Sequence, residues 1–445
     1  MRARRPVSFA RSTAFEVLRR VDERKGEPAS LLASAPYRSL SPSDRDLAME
    51  IVFGVLRLRG RLDWILAHHA RRPLSELDPA ILLALRIGLY QIAHLDRVPA
   101  RAAVDESVRL AEAYGAARGK GLVNAVLRSA LRQPDTPPFP KKEEDPLGYL
   151  TSSLSHPRWL AERYLTTLGL ERAEARCRAQ NQTPPTFLRV STRIEVEPAR
   201  EELARENVET ELVPEVPRCL RVRSGKPSGS ALLQRGLVYP QDAGSQLVPL
   251  LFDIRRSDRV LDLCAAPGGK AALMSEIASE GCVIAVERRR RRMRLLRELT
   301  AGRENLRFVL ADGRRLPFDT RFSRILLDVP CSSLGTVRRN PDVKWRVEPK
   351  DLEVFAALQM ELLRSASRLL AEHGCLVYAT CSSEPEENEE VVERCLSEST
   401  EFRRIPAGSS LPEPARHLAD ADGFFRTSPE LDDMDAYFAA ILVRR

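Results

Sequence analysis

The sequence predicts a multidomain protein with an all-helical N-terminal domain, a small α+β module and a C-terminal α/β domain on a parallel sheet. Three observations carry this. Apolar residues recur at helical spacing through residues 1–132, and a segment rich in proline and charge interrupts them. From about Arg235 onward, short apolar strands alternate with helical patterns.

In the first domain, Ala14, Val17, Leu18 and Val21 lie on one helical face, as do Ala48, Ile51, Val52, Val55 and Leu56. Leu82, Leu85, Leu89 and Ile92 mark another helix, Val104, Val108 and Ala111 a further one, and Leu122–Leu131 the last. QPDTPPFPKKEEDP (Gln133–Pro146) has no apolar period, so residues 133–147 are expected to be a linker. Residues 148–234 read as the α+β module. It has helices over Pro157–Leu168 and Glu171–Gln180, strand-like TFLRVST (Thr186–Thr192), a short helix near Pro198–Arg205 and strand-like CLRVR (Cys219–Arg223). The loop Ser224–Ser230 closes it.

Residues 235–445 form the third domain. Its expected strands are Arg259–Leu263, Cys282–Val286, Leu306–Leu310, Arg324–Asp328 and Cys375–Ala379. Helical patterns cover Gly269–Ala278, Arg290–Leu299 and Lys350–Leu370. Right-handed βαβ units follow, with ligands expected at the carboxyl ends of the strands.

The 445 residues are 43% apolar and 30% charged, with no run of ~20 apolar residues that would span a membrane. The N-terminal MRARRPVSFARS is basic but no apolar core follows it, so no secretory signal is read and a cytoplasmic protein is expected. Net charge is +8, and only eight of the 70 basic residues are lysine. Arginine forks suit phosphate, although a coding bias toward arginine gives the same composition. The eight cysteines include no C-x-x-C pair and no cysteine–histidine cluster, so reduced thiols and no metal site are expected.

Three motifs fall at expected strand ends. In LDLCAAPGGKA, Ala265, Ala266, Gly268 and Gly269 let backbone approach a ligand, and the amides of the following helix face it. Glu287 ends the second strand, where an acid commonly takes ribose hydroxyls. Asp312 follows the third strand in place to meet an adenine edge, and Asp328 ends the fourth. There is no G-x-G-x-x-G and no P-loop, which argues against NAD and ATP.

The other two motifs supply thiols, Cys331 in DVPCSSLGT and Cys381 in YATCSS. Carbon 5 of cytosine is a poor nucleophile. A thiolate adding to carbon 6 activates it toward an electrophilic methyl, after which a base takes the carbon 5 proton and the thiol leaves. Either cysteine could be that nucleophile on the residues alone. Between them lies RRNPDVKWR (Arg338–Arg346), where Arg338, Arg339 and Lys344 could hold phosphates and Trp345 stack a base. A charged surface loop has the same composition. Ser383 and Glu386 read as a helix capping box.

At these residues the chain resembles the RsmB (Sun) family of 16S ribosomal RNA cytosine-5 methyltransferases, within the NOL1/NOP2/Sun group. Leu40–Leu66 and Gly119–Arg128 look like a NusB-type RNA-binding domain. Leu154–Leu165, Tyr239–Val248 and Met434–Leu442 also look like family segments. The resemblance implies a Rossmann-like domain and S-adenosylmethionine as cofactor. Cys264, Ala265, Ala266, Pro267, Gly268, Gly269 and Lys270 would line its site, with Glu287 on the ribose and Asp312 near the adenine. Asp328 would also orient the target cytosine, Cys381 would be the nucleophile and Cys331 would assist product release. The implied partner is 16S rRNA or a small-subunit assembly intermediate, met by a monomer. The same chemistry on tRNA or another rRNA site, and a non-catalytic NusB-like scaffold, are the competing readings.

Some positions depart from the family pattern. Glu287 stands where the family has Asp, and Ser333 replaces a glycine in the loop after Cys331. The run ERRRRRMR (Glu287–Arg294) is either an added phosphate contact or, as the plainer reading, a solvated helix face.

Overall fold

The computed structural model describes residues 7–134 and 136–445. Residues 1–6, on which the targeting expectation partly rests, lie outside them. Contacts group the chain into two compact units. One comprises the chain up to Thr183 with Val337–Val347, the other Pro184–Thr336 with Glu348–Arg445. This differs from the division expected at 132, 147 and 234. The helical part of the 148–234 segment folds with the preceding helices, because the turn Tyr149–Ser153 packs on both the long second helix and Arg158–Gln180.

The main helices of the first unit are α1 (Phe9–Asp22), α2 (Pro42–Ala70), α3 (Pro79–His94), α4 (Ala100–Ala113), α5 (Lys120–Arg132) and α6 (Arg158–Gln180). Their starts are chemically marked. Ser8, Ser41 and Asp78 each accept an amide of the first turn, and Pro42 and Pro79 open their helices. Every residue of α3 from Leu83 to Gln91 is buried, which makes it the centre of the core. The two helices expected over 157–180 are one element interrupted at Gly169, whose φ of +72° suits glycine.

Helix α2 is kinked at Leu58 (φ −106°, ψ 15°). In an unbroken helix the Leu56 and Arg57 carbonyls would accept from amides four residues on. Here the Gly60 amide donates to Ser155 Oγ at 2.9 Å. Leu56 O accepts from Trp345 Nε1 at 2.6 Å, and Arg57 O accepts from Lys344 Nζ at 3.0 Å. Lys344 is wholly buried and also donates to Asn181 Oδ1 at 3.1 Å. Arg338 is buried as well, with Nη2 donating to Thr183 O at 3.2 Å.

The expectation that Lys344 and Arg338 hold phosphate, with Trp345 as a stacking platform, is therefore corrected. Buried carbonyls opened by a kink must find donors, and these side chains supply them. Arg339 lies in the same segment and is half-buried.

Burial brings the Lys344 ammonium down from an ordinary 10.5 to about 7. Between those values the unfolded chain binds the proton that the folded chain has lost, so stability rises with pH across that window. Lys344→Met is expected to abolish the rise, which unfolding of the first unit at about pH 6, 8 and 10 will check.

The second unit opens with a four-stranded antiparallel sheet. It contains β1 (Phe187–Val190), β2 (Glu209–Leu212), β3 (Cys219–Ser224) and β4 (Val238–Pro240) in the order β2-β3-β1-β4, with α7 (Val196–Arg205) between β1 and β2. The expected strands correspond to β1 and β3, whereas β2 and β4 are edge strands too polar or short to show in the pattern.

The larger sheet has β5 (Arg259–Leu263), β6 (Cys282–Glu287), β7 (Leu306–Leu310), β8 (Phe322–Asp328) and β9 (Leu370–Thr380). It is completed by β10 (Phe402–Ile405), β11 (Phe425–Arg426) and β12 (Phe438–Arg444). The order is β10-β12-β9-β8-β5-β6-β7, with β11 on β12; β5 to β9 pair in parallel, and β12 joins β9 antiparallel. Its main helices are α8 (Gly269–Ile277), α9 (Arg290–Leu299), α10 (Pro349–Arg368) and α11 (Glu389–Glu398). Strand order reverses beside β5, which opens a crevice at the carboxyl ends of β5 and β8.

A buried ion-pair network joins the two sheets. Glu276, at the end of α8, accepts from Arg189 of β1 at 3.2 Å, from Arg303 at 2.7 Å, from Ser191 Oγ at 3.0 Å and from the Thr192 amide at 3.1 Å. The Arg189 guanidinium also lies 4.6 Å from the Tyr239 ring centroid and donates to Gln241 at 3.0 Å.

Candidate active site

After β5 the chain turns sharply. Cys264 has φ +63° and Gly268 has φ +116° immediately before α8. A Cβ at Gly268 would lie 2.7 Å from Leu296 Cδ1 and 2.8 Å from Thr300 Cγ2, so both conformation and space require glycine. No side chain caps α8, which leaves its first amides facing the crevice.

Lys270, in the first turn of α8, donates from Nζ to Asp328 Oδ2 at 2.8 Å at the end of β8. Burial opposes its charge, yet the Asp328 carboxylate outweighs burial and holds the ammonium above its ordinary value. Lys270 Nζ also lies 5.4 Å from the Tyr437 ring centroid.

Glu287 is buried at the end of β6. Oε1 accepts the Arg289 amide at 2.8 Å, and Oε2 lies 3.7 Å from Arg292 Nε. Arg292 in turn donates to Ala266 O at 2.7 Å, tying the acid to the glycine turn. Asp312, past β7, accepts Arg314 Nη2 at 2.8 Å and the Arg314 amide at 3.0 Å. The Arg314 bonds hold its carboxyl far below the usual range.

Cys331 and Cys381 follow the neighbouring strands β8 and β9, and their Sγ atoms are 3.3 Å apart. The hydrogen bond between them pushes the two thiols in opposite directions. Cys381 is lowered, first by the Cys331 thiol and further by Ser333 and Lys270. Cys331 is raised by the same bond, by burial and by the negative charge of Glu387. Cys219, Cys264, Cys375 and Cys395 are all raised, chiefly by burial, so Cys381 differs from them in being lowered.

Ser333 adopts a left-handed backbone, φ +63°, that favours glycine, and its Oγ is 3.6 Å from Cys381 Sγ. Ser333→Gly would relieve that conformation and remove the hydroxyl from the thiolate. The Cys381 pKa should then rise, so the acid limb of kcat/KM moves to higher pH. Matched pH–rate profiles of the two proteins check this, and a fixed limb contradicts it.

Two carboxyl groups at the site had escaped the sequence reading. Glu387 is fully buried and clamps both thiol loops. It accepts the Ser332 amide at 2.8 Å, the hydroxyls of Ser332 and Ser382, and Gln359 Nε2 at 3.1 Å. The expected capping box at Ser383 and Glu386 does not form: α11 is preceded by Asn388 without a side-chain cap, and Ser383 donates to Glu384. Asp262, inside β5, is buried with no hydrogen-bond partner for either oxygen among the described residues. Burial and the nearby Asp328 charge push its carboxyl well above the usual range. Asp262 follows the strand's apolar alternation closely enough to pass as a strand residue, and Glu387 sits in a run of acids, so neither stood out.

The crevice of the second unit thus gathers the glycine turn, Lys270, Glu287, Asp328, Cys331 and Cys381. Asp312 is linked to its rim by Arg288, 3.6 Å away. The segment 338–346 belongs to the first unit.

Comparison with known proteins divides the chain differently, into three successive segments. Residues 8–132 match the NusB family, and residues 156–228 match the ferredoxin-like domain of RsmF/B-like methyltransferases. Residues 249–443 match the family described as 16S rRNA methyltransferase RsmB/F. The chain is 33% identical over 439 residues to the probable ribosomal RNA small subunit methyltransferase B of Bacillus subtilis (strain 168), covering 96% of this chain and 97% of that one. It is 34% identical over 426 residues to ribosomal RNA small subunit methyltransferase B of Cronobacter sakazakii, covering 93% and 97%. The crystal structure of PH0851 shares the fold with a TM-score of 0.82 at 24% identity, covering 99% of this chain and 100% of that one. Among the described residues no helix is long and apolar enough to cross a membrane.

Proposed function

The chain belongs to the ribosomal RNA small subunit methyltransferase B family, and from that premise we propose that it transfers a methyl group from S-adenosylmethionine to carbon 5 of a cytosine in 16S rRNA through a covalent cysteine–cytosine intermediate. The observation that carries this reading is the thiol pair: two sulfurs 3.3 Å apart at adjoining strand ends, of which Cys381 is held toward the thiolate.

The cofactor supplies an electrophilic methyl. The residues present fit it: Cys264, Ala265, Ala266, Pro267, Gly268, Gly269 and Lys270 form a turn without bulk at Gly268, and the buried Glu287 would hold the ribose. The Glu287 side chain is one methylene longer than the family's Asp, and Arg292 steadies it against the turn. Asp312 would lie on the adenine side.

For catalysis, the Cys381 thiolate adds to carbon 6 of the cytosine, and carbon 5 then takes the methyl. Loss of the carbon 5 proton to a base and expulsion of Cys381 restore the aromatic ring. Asp328, held by Lys270, orients the polar edge of the base. Cys331, the thiol raised by its partner, gives its proton to the departing Cys381 sulfur and, as the thiolate so formed, takes up the carbon 5 proton. The target base must leave its stack to present both a face and an edge.

The test is methyl transfer from labelled S-adenosylmethionine to 16S rRNA, tRNA and 23S rRNA, with bisulfite mapping of the product. One cytosine in 16S rRNA is the expected site. Incorporation only into another RNA overturns the substrate, and a methyl at any atom other than carbon 5 overturns the chemistry.

A further inference from the structure

Residues 287–315 carry eleven arginines against four carboxylates, a net +7 in a chain whose total is +8. The rest of the chain is therefore close to neutral. This segment comprises α9 and β7, and β7 is an edge strand of the larger sheet, so the charge lies along one border of the second unit. All of these arginines except Arg303 are exposed.

The placement is unfavourable for the helix itself. Arg289 precedes α9, Arg290, Arg291 and Arg292 fill its first turn, and no acidic residue stands there. A helix N-terminus is the positive end of the dipole and favours anions, while Arg290 and Arg294 are like charges one turn apart. A face that only needed solubility would be better served by glutamate. Arg290, Arg294 and Arg315 have no carboxylate partner among the described residues.

The band also adjoins the crevice. Arg292 donates to Ala266 O in the glycine turn, and Arg288 lies 3.6 Å from Asp312. Past Asp312 it continues into a groove where Arg314, Arg315, Arg364 and Arg368 outnumber the carboxylates Asp312 and Glu361. S-adenosylmethionine is itself cationic and gives no reason for such charge, whereas a polyanion does.

We propose that this band is the docking track for the ribose–phosphate backbone flanking the target base, an assignment that rests on the RNA methyltransferase reading. It replaces the plainer view of Glu287–Arg294 as a solvated face.

The test compares the full-length wild type with the triple variant Arg290→Glu, Arg294→Glu, Arg315→Glu. Binding of 16S rRNA is measured across a salt series, alongside steady-state kinetics, S-adenosylmethionine binding and thermal melting. Each lost phosphate contact should flatten the slope of log affinity against log salt by about 0.7, so roughly 2 in all. KM for RNA should rise, with kcat at saturating RNA and cofactor affinity unchanged. Melting should not fall, because glutamate at 290 suits the start of α9 and Arg294 and Arg315 give up no carboxylate partner among the described residues. The matching lysine triple should keep the wild-type slope.

An unchanged slope in a variant that still methylates overturns the proposal. Unchanged RNA binding with lost binding to anionic phospholipid vesicles overturns it in favour of a lipid surface. If the wild type binds RNA, the triple variant loses the salt dependence and neither methylates, the track stands and the proposed reaction falls.

Discussion

Cys331→Ala is expected to stop with RNA covalently attached, while Cys381→Ala forms no adduct and transfers no methyl. The two sulfurs are in contact, so position alone would not separate their roles. Their surroundings do. Cys381 is lowered by its hydrogen bonds with Cys331 and Ser333 and by the Lys270 charge, whereas Cys331 faces the Glu387 carboxylate. Removing the nucleophile closes the covalent route, and turnover should fall on the order of 10³-fold or more. Removing the proton carrier should cost about 10²–10⁴-fold in turnover and leave the intermediate populated, visible as a slowly migrating band on a denaturing gel. Retained turnover in Cys381→Ala with none in Cys331→Ala would reverse the assignment.

Glu276→Ala should destabilise the second unit by about 3–5 kcal/mol, the usual cost of leaving buried cations uncompensated. Its carboxylate is 3% exposed and serves two guanidiniums, Arg189 at 2% and Arg303 at 8% exposure. Burial alone would raise its pKa, but the two arginines hold it below the ordinary value. Because Glu276 ends the helix that begins at the glycine turn, its loss also frees that helix from β1. Denaturant unfolding of wild type, Glu276→Gln and Glu276→Ala checks the size. The amide should fall between the other two, since it keeps acceptors and loses the charge. A change under about 1 kcal/mol in the alanine variant would show that the network is not holding the sheets together.

The larger sheet was legible because its central strands are apolar runs bounded by turns. β5, β7 and α9 have the expected bounds to the residue, and the strand-end acids and thiols followed from them. The antiparallel strands β10, β11 and β12 were not expected, since two are short and β12 is apolar on both faces with no turn signal of its own. Lys344 and Trp345 were misread for a different reason. A basic segment with an aromatic residue has one composition whether it meets RNA or fills a kink at Leu58, nearly 290 residues away in sequence. Glu387 and Arg292 act through contacts with residues distant in the chain, and no local pattern encodes those. The residues alone left the order of the two thiols open, and only the family resemblance supplied it; the contacts around them favour the same order.

The central claim, that Cys381 is the attacking thiol, is tested most directly by peptide mapping of a trapped complex. RNA carrying 5-fluorocytidine at the modified position should hold the enzyme, because carbon 5 then bears fluorine in place of the proton that a base must remove. Mass spectrometry of the digested complex is expected to find the nucleotide on the peptide containing Cys381, with Cys331 free. Attachment at Cys331 would contradict the account.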